Sequence, residues 1–544
     1  MDLDLVKTLA SKILAFALIL NPSAWWTTRT FRFRTPRENR MLLPRWLLIL
    51  SLTTLSLSAC KVTRDDINTW KGTRKGPGKM VAVMLANKFD LDLRTYAALE
   101  LVEMERQDVD GVTEMQRAIQ KLDPDTRAKV VDGLANELIA LMKKPPATPT
   151  TDGVPPPYQV RAKDAAFLLV ASATPEVREK LTEAVVGWYT ADFNGRSLSG
   201  NFSAEQVIRG LGATAAARLI DALNAHLPQA ALIKLAELIG QLGDPASRQR
   251  AASRLVQIER DMEGPQFLDW LKTQISDQMK ASGSAPDAAR VLKAAELNRE
   301  NFISNGALPA MKYLADQADV TKRLLEIAST KDAKLTDRRT RALQALEGKL
   351  GPDHVDEVLA LALDANNPVA VRDYAFDRVG DTRSPKALAS MWPLLQNDDS
   401  RLRWRAGELI LAIGGAPVLS EFFEKLPSGA AYEPEELDGY AQRMAQMAPA
   451  PREFALSRLA GPNWWDSIIA LNYFQRKGTD ADLALIQPLA NNAAPVKGKR
   501  WEKGDTVGKV AERASAGLRE RLKEAAGASG AAPTGATSTT ATTN

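Results

Sequence analysis

Few of the 544 side chains are of the types that do chemistry, and those few are scattered. The chain holds one cysteine, Cys60, and two histidines, His226 and His354. A lone thiol offers a nucleophile or the acceptor of a covalent group. A metal centre would need several His, Cys, Asp or Glu ligands converging on one point. His226 precedes Leu227 and His354 precedes Val355, with no His-Glu dipeptide and no His-x-x-x-His spacing, so neither metal nor cofactor is expected. The Gly-x-Ser-x-Gly elbow of many hydrolases does not occur. Lys71-Gly72-Thr73-Arg74-Lys75-Gly76-Pro77-Gly78-Lys79 lacks the Gly-Lys-Ser/Thr ending of a phosphate loop and has no preceding strand, which leaves a basic loop. The carboxylates of Glu433-Pro434-Glu435-Glu436 and Asp398-Asp399 fit solvated or capping positions unless a closed cleft pairs them. No catalytic residue emerges, and the chain is not expected to be an enzyme.

What precedes Cys60 gives that thiol a use. Trp46 to Leu57 is an apolar run long enough for a signal core and short for a spanning helix, flanked by Arg45. Ser58 and Ala59 are small enough to enter a peptidase active site. Leu57-Ser58-Ala59-Cys60 resembles a bacterial lipoprotein cleavage box. The resemblance implies removal of residues 1–59 as a signal peptide, a covalent lipid such as palmitate on Cys60, and attachment to a membrane. The alternative is an uncleaved signal anchor running from Met41 into Lys61-Val62-Thr63. A shorter apolar run, Ile13 to Leu20, and the bases Arg29, Arg32, Arg34, Arg37 and Arg40 come first. Such a lead is unusual for a signal peptide, so translation is expected to start at Met41. Lys61 after the Cys, by the sorting preference of many Gram-negative lipoproteins, implies the outer membrane of the cell envelope, facing either the periplasm or the outside.

The calculated basic character belongs to the segment to be removed. Residues 61–544 carry 63 Lys and Arg and 63 Asp and Glu. A chain without a net positive field has no general drive toward phosphate backbones, and nucleic acid is not an expected partner. With no cysteine beyond Cys60, stability must come from packing rather than disulfides.

Packing is legible as a repeat. Asp364-Ala365-Asn366-Asn367-Pro368-Val369-Ala370-Val371-Arg372 leads into a segment with Ala375 and Val379 that closes at Gly380. Gln396-Asn397-Asp398-Asp399-Ser400-Arg401-Leu402-Arg403 leads into Ala406, Leu409 and Ile413 and closes at Gly414-Gly415. Between them Ala387, Leu388, Met391, Leu394 and Leu395 recur at helical spacing, so each unit holds two helices. An upstream copy runs through Asp337, Arg339 and Ala342 to Gly351. Asp or Asn caps the incoming helix, Pro368 suits a first turn, and Gly ends a helix in a left-handed conformation.

These units resemble HEAT-like repeats of the phycobilisome-lyase type. The resemblance implies an all-α solenoid, with Arg94, Arg372 and Arg403 as ladder positions that pair with capping Asp residues and Gly380 and Gly414 as helix ends. Weaker copies at Asp90–Ala97, Gly243–Ala251 and Gly478–Leu489 extend it outward. The tetratricopeptide signature is missing. Two helical-repeat enzyme families fail on residues: deoxyhypusine hydroxylases take iron ligands from His-Glu pairs, and soluble lytic transglycosylases present a Glu-Ser dipeptide, which occurs nowhere here.

The expected organisation is a signal segment (1–59), lipidated Cys and N-terminal repeats (60–143), a Pro-rich linker or loop (144–158), the main solenoid (159–524) and a disordered Ala/Gly/Ser/Thr tail (525–544). Six prolines within 144–157 forbid a helix there. The expected function is a membrane-anchored scaffold that binds a protein partner; the alternative is an envelope hydrolase acting on peptidoglycan or peptides. A possible interface lies in the C-terminal third. Trp464, Trp465 and Trp501 fall near one another in sequence, and residues 497–523 hold nine bases, Lys499, Arg500 and Lys503 among them, against four acids. Exposed aromatics and bases suit contact with an acidic partner or anionic head groups. The competing expectation is that the Trp pair packs inside the last repeat and the bases line a solvated capping helix.

Overall fold

Aspartates open helices along the chain, because a short acceptor satisfies amides that the first turn leaves unpaired. Asp90 accepts from Leu93 N at 2.8 Å, Asp123 from Thr126 N at 3.0 Å, Asp244 from Ser247 N at 2.8 Å and Asp399 from Arg401 N at 2.9 Å. The computed structural model describes residues 61–106, 108–144, 157–191 and 202–530. Leu57, Ser58, Ala59 and Cys60, residues 145–156 of the Pro-rich segment and residues 531–544 lie outside the described residues. The chain divides into Met1–Thr63 and Arg64–Asn544, and the architecture below is that of the second unit.

Its first part comprises α1 (Arg64–Lys71), α2 (Gly76–Leu85), α3 (Leu91–Glu103), α4 (Gly111–Lys121), α5 (Pro124–Met142), α6 (Tyr158–Leu169), α7 (Pro175–Ala191), α8 (Ala204–Leu211) and α9 (Ala213–Leu219). Then come α10 (Gln229–Leu242), α11 (Pro245–Glu263), α12 (Pro265–Ala281), α13 (Ala288–Phe302) and α14 (Leu308–Met311). The expected repeats appear as α15 (Ala318–Ala328), α16 (Thr336–Ala345), α17 (Val355–Leu363), α18 (Val369–Thr382), α19 (Lys386–Leu394) and α20 (Ser400–Gly414). The last part is α21 (Leu419–Lys425), α22 (Pro434–Gln446), α23 (Arg452–Leu459), α24 (Trp464–Lys477), α25 (Asp480–Ile486) and α26 (Val507–Gly530).

Helices α14, α16, α18, α20, α22, α24 and α26 lie side by side, each packing on the next. Helices α15, α17, α19, α21, α23 and α25 form a second layer, each against a helix of the first. In these two layers the apolar stripes are therefore covered by sequence neighbours, which makes the fold an all-α solenoid of helix-pair repeats. Helix α5 packs directly on α6, and Arg161 of α6 donates to the carbonyls of Val102 and Glu103 at 2.8 Å each. The helices on either side of residues 145–156 are thus stacked neighbours.

The arginine ladder is present, but its acceptors differ from those the family implies. Arg94 donates to Met84 O at 2.7 Å, Arg339 to Ala328 O at 2.8 Å, Arg372 to Ala362 O at 3.1 Å and Arg403 to Asn397 O at 3.2 Å. Each reaches back to carbonyls at or just past the end of the preceding helix, where the last turn leaves acceptors without partners. Gly414 ends α20, and Gly415 follows with φ +61°. Gly380 does not end α18, which continues to Thr382. It lets α20 approach, since a Cβ there would meet Leu409 Cδ2 at 3.0 Å. Residues 525–530, expected to open the disordered tail, are instead helical, as α26 runs to Gly530.

Candidate protein-docking site

The aromatic and basic residues of the C-terminal third separate into an inside and an outside. Tyr432 is fully buried and Trp465 is 2% exposed. The Trp464 and Trp465 rings meet edge to face at 5.8 Å, Tyr432 lies 5.3 Å from Trp465, and Trp501 closes on Trp464 at 6.2 Å. Edge-on packing of this kind matches the ring quadrupoles and buries a large apolar area. Tyr473 and Phe474 are buried in α24.

Trp501 belongs to an irregular segment, residues 492–506, that joins the end of the second layer to α26. The segment is clasped along its backbone. Tyr432 N donates to Lys497 O at 2.9 Å, and the Trp501 indole Nε1 donates to Tyr432 O at 2.7 Å. The Glu433 carboxylate accepts from Lys499 N at 3.1 Å and Arg500 N at 2.9 Å. Pro495 and Thr506 form an isolated antiparallel bridge, and Val507 N donates to Ala494 O at 3.0 Å. Arg513 grips Asp505 with two bonds of 3.1 and 2.8 Å and holds its carboxyl below the ordinary Asp range. A strap this long without secondary structure needs such partners to stay fixed.

With the main chain satisfied inward, the side chains of Lys497, Lys499, Arg500 and Lys503 face solvent. Arg500 lies near Glu435 at 3.2 Å and Glu433 at 3.8 Å. Of the nine bases in 497–523, Lys497, Lys499, Arg500 and Lys503 therefore sit on the strap and the other five on the capping helix α26. Beneath it Arg403 donates to both Glu436 oxygens at 2.8 and 3.0 Å and stacks 4.8 Å from the Tyr432 ring. Burial raises the Glu436 carboxyl above the usual range, with Arg403 pulling the other way. Since a guanidinium does not deprotonate, the pair is an ionic one that ties α20 to α22. Arg94 and Arg372 lie far back in the ladder and take no part.

A groove adjoins the strap. Helices α18, α20 and α22 and the turn after α16 line a cavity of about 750 Å³, flanked by a cavity of about 420 Å³ that shares Asp377 and reaches α16 and one of about 340 Å³ that shares Arg405 and reaches Arg500. Cross-helix ion pairs run through it: Arg405 to Asp377 at 3.1 Å and Arg443 to Glu408 at 3.7 Å. Burial raises the Glu408 carboxyl, opposed by Arg443 and Arg405.

Sequence reasoning missed Tyr432, Glu433, Asp505 and the groove. Glu433 was visible as an acid before Pro434, but nothing in the sequence says that residues 66 positions later would meet it. Among the described residues no group of three His, Cys, Asp or Glu side chains is placed to hold a metal, and no helix is long and apolar enough to cross a membrane.

No family model matches the sequence, and no curated protein matches it. Among solved structures, an engineered protein is 14% identical over 81% of this chain and 98% of that one, with a TM-score of 0.19. Kap121p is 13% identical over 88% of this chain and 49% of its own, with a TM-score of 0.31. Importin beta is 13% identical over 82% and 64%, with a TM-score of 0.26. The chain thus spans about half to two thirds of those two proteins. Superposition this loose carries no argument, and the solenoid rests on the helix packing described above.

Proposed function

We propose that the chain is a lipid-anchored scaffold of a bacterial cell envelope, tethered through Cys60, and that its solenoid binds a protein partner through the strap at its C-terminal end. The observation that carries the docking reading is the division of labour in residues 492–506. Backbone and indole face inward, and four cationic side chains, Lys497, Lys499, Arg500 and Lys503, face outward from a fixed frame. A pre-ordered cationic loop loses little entropy on binding and steers an acidic protein surface. The tether is supported by Leu57-Ser58-Ala59-Cys60, and Lys61 favours the outer membrane.

Changing Lys499, Arg500 and Lys503 together to Glu leaves the backbone bonds to Glu433 in place, since those use main-chain amides. The variant should keep its melting temperature within a few degrees and lose partners recovered by crosslinking from membranes. Unchanged recovery with the fold intact refutes the strap as the docking site. Cys60→Ala should abolish labelling by a palmitate analogue and leave an uncleaved precursor; equal label on variant and parent refutes the tether.

A further inference from the structure

Three neighbouring first-layer helices are followed by a residue with positive φ, and one of the three is not a glycine. After α16 the residue is Gly348 (φ +66°), after α20 it is Gly415 (φ +61°), and between them, directly after α18, it is Arg383 (φ +48°). Among the described residues Arg383 is the only non-glycine with positive φ. Glycine adopts positive φ without penalty, whereas Arg383, in the left-handed region with φ +48° and ψ +25°, carries a Cβ and is strained. All three residues line the 750 Å³ cavity, and only Arg383 brings a side chain to it.

The ordinary reason for a cation at a helix C-terminus is the negative end of the helix dipole. An Arg within the last helical turn would serve that purpose without strain, so the dipole does not explain the left-handed position. The rest of the cavity gives a reason. Its acids are engaged: Asp377 with Arg405, Asp381 with Arg378 at 3.0 Å and with Gly348 N at 2.8 Å, and Glu408 with Arg405 and Arg443. Among the described residues Arg383 has no acidic partner, and its side chain is exposed at the cavity. In the adjoining 420 Å³ cavity Arg341 is likewise without an acid and bonds only Gln344 Oε1 at 3.1 Å. A basic segment entering this groove would meet carboxylates already taken. An acidic one would meet the guanidinium groups of Arg383 and Arg341, which no acid among the described residues engages, and a guanidinium matches a carboxylate in geometry and charge.

We propose that the groove across α16, α18 and α20 binds an extended acidic segment of a protein, and that Arg383 is held in a strained conformation because it binds a carboxylate of that segment. The inference rests on the reading of the chain as a protein-binding scaffold and names a second, separate contact of that scaffold.

The test uses the full-length protein with a fluorescein-labelled decapeptide of alternating Glu and Gly, and its Gln/Gly counterpart as control, read by fluorescence anisotropy. Arg383→Gly should bind the Glu peptide roughly tenfold more weakly or worse, the loss of one charge-assisted contact. The same variant should melt higher than the parent, because the strain is gone. Arg383→Lys should keep part of the affinity. The proposal is overturned if Arg383→Gly binds like the parent, if it melts lower, or if the parent binds the Gln peptide as well as the Glu peptide or binds neither. Partner recovery from crosslinked membranes separates the two readings. Recovery lost in the strap variant while peptide binding fails to depend on Arg383 leaves the scaffold standing and removes the groove.

Discussion

Two segments depart from the regular stack, the strap of residues 492–506 and the hairpin of α12 and α13, and they are held in opposite ways. The strap has no helix to satisfy its backbone, so it borrows partners from Tyr432 and Glu433, and Arg513 of α26 holds its Asp505. The hairpin satisfies its backbone within its own helices and packs mainly on itself. Helix α12 fully buries only Phe267 and Leu271, and α13 only Val291 and Ala295, while Leu297 is 71% exposed. At its base Trp270 packs edge-on to His226 at 4.7 Å, and Arg338 of α16 reaches Glu300 at 2.6 Å. A segment whose backbone is self-sufficient tolerates exposure; one whose backbone is not must be pinned, and pinning is what makes its surface side chains a fixed pattern.

The largest expected difference lies in the aromatic anchors. Trp465→Ala empties a buried site and should cost about 3–5 kcal/mol in chemical denaturation. Trp270→Ala, at a half-exposed site, should cost well under half of that. Equal losses would mean that the two segments are anchored alike. Glu433→Ala removes the acceptor of two strap amides and should cost about 1–2 kcal/mol. Hydrogen exchange should quicken at residues 492–506 and stay unchanged in α12 and α13; quickening in both regions would contradict local pinning. The smallest effect is that of acid. Arg513 depresses the Asp505 pKa, so this pair's stabilisation is fully present above the unfolded Asp value and is lost as pH falls through the lower folded value. Exchange at the strap should therefore rise as acidification passes below the ordinary carboxylate range, and in Arg513→Ala it should already be raised at neutral pH. A strap in the parent that loosens near pH 6 would point to some other group.

The repeats between residues 330 and 425 were readable because period, cap and small residue all agree there. Asp399, Ala406 and Gly414-Gly415 each act as their types dictate. Gly380 was misread because a glycine that admits a neighbouring helix and one that ends its own look the same in a sequence. The hairpin went unnoticed for a related reason: its apolar positions follow the same helical period as those of stacked helices, and the period does not say whether a partner covers them.

Local chemistry thus settled the helices, their starts and the two-helix unit, since a cap or an apolar stripe acts over one or two turns. The sequence likewise held Cys60 and its flanking box, a pattern complete within four residues. Only the tertiary structure decided that Glu433 would receive the amides of Lys499 and Arg500, that the tryptophans turn inward while the lysines turn outward, and that Arg383 would stand between two glycines at one groove. Those outcomes depend on contacts between residues tens of positions apart, which stacking brings together and no local preference encodes.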